Sequence, residues 1–77
     1  MSDDLKKDFG RVLLNARKNA GLSQEKLANM CDLERAYISR MERGLLQPTI
    51  TTVFKIAKAL NTTATDLIQK LEDEHNH

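Results

Sequence analysis

The sequence predicts an all-α fold of five short helices, and three observations carry that prediction. Apolar residues recur at helical spacing along the whole chain, with none of the strict alternation that marks a strand. The gaps between these runs hold glycine, serine, threonine, aspartate and asparagine, the residues that start and stop helices. No Asn-Gly or similar hairpin signal competes with this reading.

The first helix carries Leu5, Phe9, Val12, Leu13, Ala16 and Ala20 on one face and ends at Gly21. Ser23 is the expected N-cap of a second helix opening at Gln24, which turns Leu27, Ala28 and Cys31 inward. Asp32-Leu33-Glu34 makes a turn. A third helix then runs from about Arg35 to Arg43, burying Ile38 and Met41, and closes at Gly44. After a loop from Leu45 to Pro48, Thr49 caps a fourth helix bearing Ile50, Val53, Ile56, Ala57 and Leu60. Asn61-Thr62 breaks the chain, Thr63 is the next cap, and a fifth helix brings in Leu67 and Leu71. The expected core is Phe9, Val12, Leu13, Ala16, Leu27, Ala28, Cys31, Leu33, Ile38, Met41, Ile50, Val53, Ile56, Ala57, Leu60 and Leu67. Beyond about residue 73 an acidic, flexible tail is expected, with His75 and His77 as a solvated end and no metal site.

At 77 residues the chain is one small domain, 1–77, with too little bulk for both a core and a deep catalytic pocket. Its 40% apolar content and net charge of +1 exclude a disordered coil. Its apolar runs never exceed three residues, as in Val12-Leu13-Leu14, so no membrane span is expected. The polar start, Met1-Ser2-Asp3-Asp4, does not resemble a secretory signal. One cysteine, Cys31, makes neither an internal disulfide nor a zinc site, which suits a reducing cytoplasm. Nucleophile–base sets, phosphate-cradling glycine loops and metal-ligand spacings are all missing, so no enzyme and no cofactor are expected.

The small net charge hides a segregation. From Arg11 to Lys58 nine Lys/Arg face four Asp/Glu, a net of +5, while the two ends together carry −4. A basic middle between acidic ends suits one local polyanion-binding face.

That middle contains the sharpest signal, residues 24–44. Two helices of eight or nine residues joined by a three-residue turn must cross steeply, which calls for a small residue in the first and a slim apolar one in the second. Ala28 and Ile38 meet those needs, with Leu27, Cys31, Leu33 and Met41 beneath them. Burying these six leaves Arg35, Ala36, Ser39, Arg40 and Arg43 on the outer face of the third helix. A helix with cations along one side fits a DNA major groove.

At these residues the sequence resembles the helix-turn-helix family of lambdoid phage repressors and Cro, within the wider Xre-like class of bacterial regulators. It is most similar to the small controller proteins of restriction–modification systems. The matching runs are residues 17–28 (RKNAGLSQEKLA) and 37–44 (YISRMERG), then 48–50 (PTI) and 55–60 (KIAKAL). The likeness spans roughly residues 9 to 71 and implies a five-helix, lambda-repressor-like domain. Asp32 departs from the pattern, which usually has glycine in the turn; aspartate tolerates the left-handed conformation, so the turn should survive.

The resemblance also implies roles. Arg35, Ala36 and Arg40 stand where the family reads base edges, with Glu34 bordering that surface. Gln24 matches a phosphate clamp; Tyr37, Ser39 and Arg43 match contacts to the DNA backbone; Arg17 and Glu42 match a structural ion pair. The implied function is a cytoplasmic transcriptional regulator binding double-stranded, palindromic operator DNA as a homodimer, with RNA polymerase as a further partner and no membrane association. A restriction–modification controller fits best, because the chain ends about where its fifth helix does. The alternatives are a phage Cro-like repressor, the antitoxin of a toxin–antitoxin pair, and a protein–protein adaptor that has lost its DNA contacts. The arginines on the reading face count against the last. Leu46, Phe54, Ala64 and Ile68 are apolar residues that one small core does not need, and they form the expected dimer interface.

Overall fold

The computed structural model describes residues 2–76, and the side chains of residues 5–76. Five helices make up the described chain: α1 (Ser2–Asn19), α2 (Gln24–Cys31), α3 (Arg35–Glu42), α4 (Ile50–Ala59) and α5 (Ala64–His75). None of them is long and apolar enough to cross a membrane.

Local chemistry fixes the boundaries. At the starts of α2, α4 and α5 the hydroxyls of Ser23, Thr49 and Thr63 accept the backbone N–H three residues on, each filling one of the donors a helix start leaves orphaned. Four helices end in one way. Gly21, Asp32, Gly44 and Asn61 take left-handed backbone angles, and the next N–H turns back to an earlier carbonyl, as Leu33 N–H does to Ala28 O at 2.8 Å. Asp32, with φ 61° and ψ 38°, thus does in the turn what a glycine does elsewhere.

Packing closes these elements into a ring in which α1 lies against α3 and α5, α2 against α3 and α4, and α4 against α5. Every helix sends a side chain into the centre: Leu13, Leu27, Ile38 with Met41, Ile56 and Leu67 are all fully buried. Burying side chains of this size contributes about 1.5–3 kcal/mol each, and α3 is held by two of them. Ala28 and Ile38 are buried at the α2–α3 crossing, as the sequence requires.

Several expectations need correction. Ile50, expected in the core, is 71% exposed. It opens α4 one residue past its cap, where the helix still overhangs the core, and the buried position of that first turn is Thr52, whose hydroxyl bonds that of Thr49. Ala16, Leu33 and Leu60 are only half-buried at the core's edge, and Ala20 is exposed. The tail expected to be flexible from about residue 73 is helical through His75. Its last turn is tied to α1 by polar contacts: Arg11 pairs with both Glu74 and Asp8, and His75 Nδ1 lies 2.9 Å from Asp8 Oδ2. Asp8 is buried, so these contacts satisfy a carboxylate that would otherwise be stranded. His77 lies outside the described residues.

Candidate nucleic-acid interface

On a 3.6-residue repeat, Arg35, Ser39, Arg43, Ala36 and Arg40 fall within an arc of roughly 140° on α3 and its C-cap. Ile38 and Met41 occupy the opposite side and are buried. Arg35, Ala36, Arg40 and Arg43 are exposed, while Ser39 is half-buried at the edge of the arc. Tyr37 lies off the arc and packs partly against the core, so only its outer edge is available for contact.

The five arginines of the chain divide sharply. Arg11 and Arg17 are paired with carboxylates. Arg35, Arg40 and Arg43, all on α3 or its cap, have neither an ion pair nor a side-chain hydrogen bond among the described residues. Three guanidinium forks therefore stand on one short helix with their donors unspent. Such forks match paired acceptors, a phosphate or the O6 and N7 of guanine.

Behind this face, α3 is anchored through Glu42. Arg17 Nε donates to Glu42 Oε2 at 2.6 Å and Nη2 to Oε1 at 3.1 Å, a two-point pairing with side chains only 11% and 5% exposed. The third Arg17 nitrogen, Nη1, donates to the Leu22 carbonyl at 2.8 Å. Gln24 Nε2 donates to Glu42 Oε1 at 2.9 Å. One carboxylate thus joins the end of α1, the start of α2 and the last turn of α3. Hydrogen bonding to Glu42 raises the Arg17 pKa above the ordinary arginine range, against the smaller opposing effect of burial. Gln24 still has one amide hydrogen to donate, and it stands at the α2 N-terminus, where orphaned N–H groups favour an anion.

Gly10 is part of this support, and nothing in the periodicity marks it beyond a glycine standing inside a helical run. It lets α1 approach the backbone at the end of α3 so closely that no side chain fits between them.

The expected dimer residues are divided. Phe54 is 62% exposed and Ile68 is exposed as well. Leu46 and Ala64 pack against the core instead, because the loop after α3 folds Leu46 inward and Ala64 opens α5 on its inner side. Ile50 takes their place in the patch: it is one turn from Phe54 and lines a small apolar cavity together with Ile68. Among the described residues no group of three or more His, Cys, Asp or Glu is arranged to hold a metal ion.

The helix-turn-helix family model matches residues 13–67. Control protein C.BamHI of Bacillus amyloliquefaciens is 39% identical over 69 residues, covering 88% of this chain and 85% of that protein. Among solved structures, the restriction–modification controller protein C.AhdI of Aeromonas hydrophila is 35% identical with a TM-score of 0.78, covering 80% of this chain and 94% of that one. The controller protein C.Esp1396I, solved as a tetramer in complex with its natural 35 base-pair operator, is 30% identical with a TM-score of 0.85. That alignment covers 95% of this chain and 96% of the other.

Proposed function

The chain belongs to the helix-turn-helix family, and from that premise we propose that it is a sequence-specific DNA-binding transcriptional regulator, the controller protein of a restriction–modification system. One observation supports this above the rest: every arginine without an internal partner lies on α3 or its cap. In this reading α3 enters the major groove, with Arg35 and Arg40 on base edges and Ala36 between them allowing close approach. Gln24, Tyr37, Ser39 and Arg43 hold the DNA backbone and set the register.

One such helix reads about four or five base pairs, too few for useful specificity, so a two-fold pair on a palindromic operator is the remedy. The patch of Ile50, Phe54 and Ile68 is the surface proposed to join the two copies. Its exposed aromatic and aliphatic groups are better covered than wet.

Gel shifts against the DNA upstream of the chain's own gene and against a scrambled duplex, across a salt series, test the proposal. Specific binding should exceed non-specific binding by about a thousandfold or more, and both should weaken steeply with salt. Equal affinity for the two duplexes rules out a sequence-specific regulator of that promoter.

A further inference from the structure

The start of α3 differs from the starts of α2, α4 and α5. Ser23, Thr49 and Thr63 cap α2, α4 and α5 with their side chains, whereas the N-cap of α3, Glu34, makes no side-chain capping bond. Its backbone is extended, with φ −83° and ψ 147°, and its side chain is exposed. Among the described residues its carboxylate forms no ion pair or hydrogen bond, not even with its neighbour Arg35. Adjacent residues do not face each other at a helix start, which leaves both groups free to take separate partners.

A free carboxylate at the groove-entering end of a DNA-reading helix is repelled by every phosphate near it. It becomes favourable only against a hydrogen-bond donor on a base. Cytosine offers one, the N4 amino group, flanked on its own base by C5–H; adenine sets its N6 amino group between its own N7 and the paired thymine O4, two acceptors that repel a carboxylate. We infer that Glu34 reads a cytosine adjacent to the guanine taken by Arg35, and that its charge disfavours every duplex lacking that base. The inference rests on the reading of α3 as the base-contacting helix. It adds a second kind of discrimination, by repulsion, to the attraction supplied by the arginines.

Selection from a randomised duplex library tests it, using the full chain and its Glu34→Gln and Glu34→Ala variants. The wild type should enrich a half-site containing guanine and a neighbouring cytosine, with about tenfold preference for that cytosine. Glu34→Ala should lose the preference at that one position, keep the guanine, and bind random-sequence DNA more tightly. Glu34→Gln should move the preference from cytosine to adenine, because an amide both donates and accepts. A role confined to starting the helix changes stability without changing any base preference. If both variants select the wild-type sequence, Glu34 reads no base and the inference is overturned. If the wild type selects no sequence at all, the reading of α3 fails and this inference with it. If Arg35→Ala loses the guanine while the Glu34 variants change nothing, the reading of α3 stands and only the inference is lost.

Discussion

Gly10 lies directly against the carbonyl of Met41: a β-carbon at position 10 stands 2.6 Å from that oxygen, and 2.7 Å from the carbonyl oxygen of Glu42. Both obstacles are backbone, which cannot rotate away as a side-chain tip can. The end of the proposed reading helix therefore rests on the bare backbone of α1, and the spacing between the two helices is set by the missing methyl group. Helix propensity alone favours Gly10→Ala by about 1 kcal/mol, whereas forcing an atom into a packed contact costs about 1–3 kcal/mol. The clash should win. Urea denaturation of Gly10→Ala should show a net loss of up to about 2 kcal/mol, with weaker operator binding as α3 shifts. A gain in stability would mean that the two helices separate freely.

The Arg17–Glu42 pair is the second support of α3. Removing one partner leaves the other charge buried without its match, a loss of about 3–5 kcal/mol in such settings. Arg17→Met should fall at the lower end of that range, because Gln24 still donates to Glu42. Replacing both, as Arg17→Met with Glu42→Leu, should recover most of the loss, since desolvation offsets much of an ion pair's attraction. Comparing denaturation midpoints of the single and double variants checks this. A single variant as stable as the wild type would show that the pair does not hold the helices.

Acid should weaken the α4–α5 corner. Lys70 Nζ, at 2.7 Å, and Thr62 Oγ1, at 2.9 Å, both donate to Asp66 Oδ2. The Lys70 hydrogen bond, followed by that of Thr62, lowers the Asp66 pKa below its ordinary 3.8. A carboxyl whose folded pKa is depressed contributes stability above the unfolded value, and loses it as pH falls through the folded one. Asp66→Asn should therefore melt below the wild type at neutral pH, with the gap closing below about pH 4. Thermal midpoints taken from pH 7 downwards measure it, and a gap unchanged by pH would assign the loss to something other than this charge.

What the sequence makes legible here is what is local. Ser23, Thr49 and Thr63 announce helix starts because a hydroxyl acts on an N–H three residues away, and Asp32 announces a left-handed turn from its own conformational tolerance. The Arg17–Glu42 pair is not local, and it is legible only through a family resemblance. The contacts that stay hidden join distant residues without any periodic trace. Asp8 with His75 is one, Arg11 with Glu74 another, and Gly10 beneath Met41 a third. Ile50 fails for a different reason. Helical phase places it on the inner stripe, but phase does not say how far the core extends beneath the end of a helix.

The Ile50–Phe54–Ile68 patch makes a prediction about assembly. A carboxylate placed within it must be desolvated if two copies meet there. Phe54→Asp should thus sediment as a monomer at tens of micromolar protein, about the range in which the wild type is a dimer if the patch is the interface. Because Phe54 is exposed, the variant should melt close to the wild type when compared as monomers. A wild type that is itself monomeric, or a Phe54→Asp variant that remains dimeric, moves the interface elsewhere.

The three unpaired arginines should separate into two kinds by their salt dependence. Arg35 and Arg40 are five residues apart, about 1.4 turns, so they adjoin on one face with the small Ala36 between them. A guanidinium fork donates to guanine O6 and N7 together, and losing such a contact costs about 1–3 kcal/mol at one base position. Arg43, at the C-cap, is set back from the groove-entering end and should meet phosphate. Phosphate contacts weaken all sequences alike, so Arg43→Ala should reduce operator and scrambled binding in parallel, lowering the salt slope by about one unit. Arg35→Ala and Arg40→Ala should narrow the gap between the two duplexes instead. Binding isotherms for the three variants on both duplexes, at several salt concentrations, distinguish the outcomes. If Arg35→Ala and Arg40→Ala weaken specific and non-specific binding equally, both are electrostatic anchors. Base reading would then have to come from other groups at the start of α3.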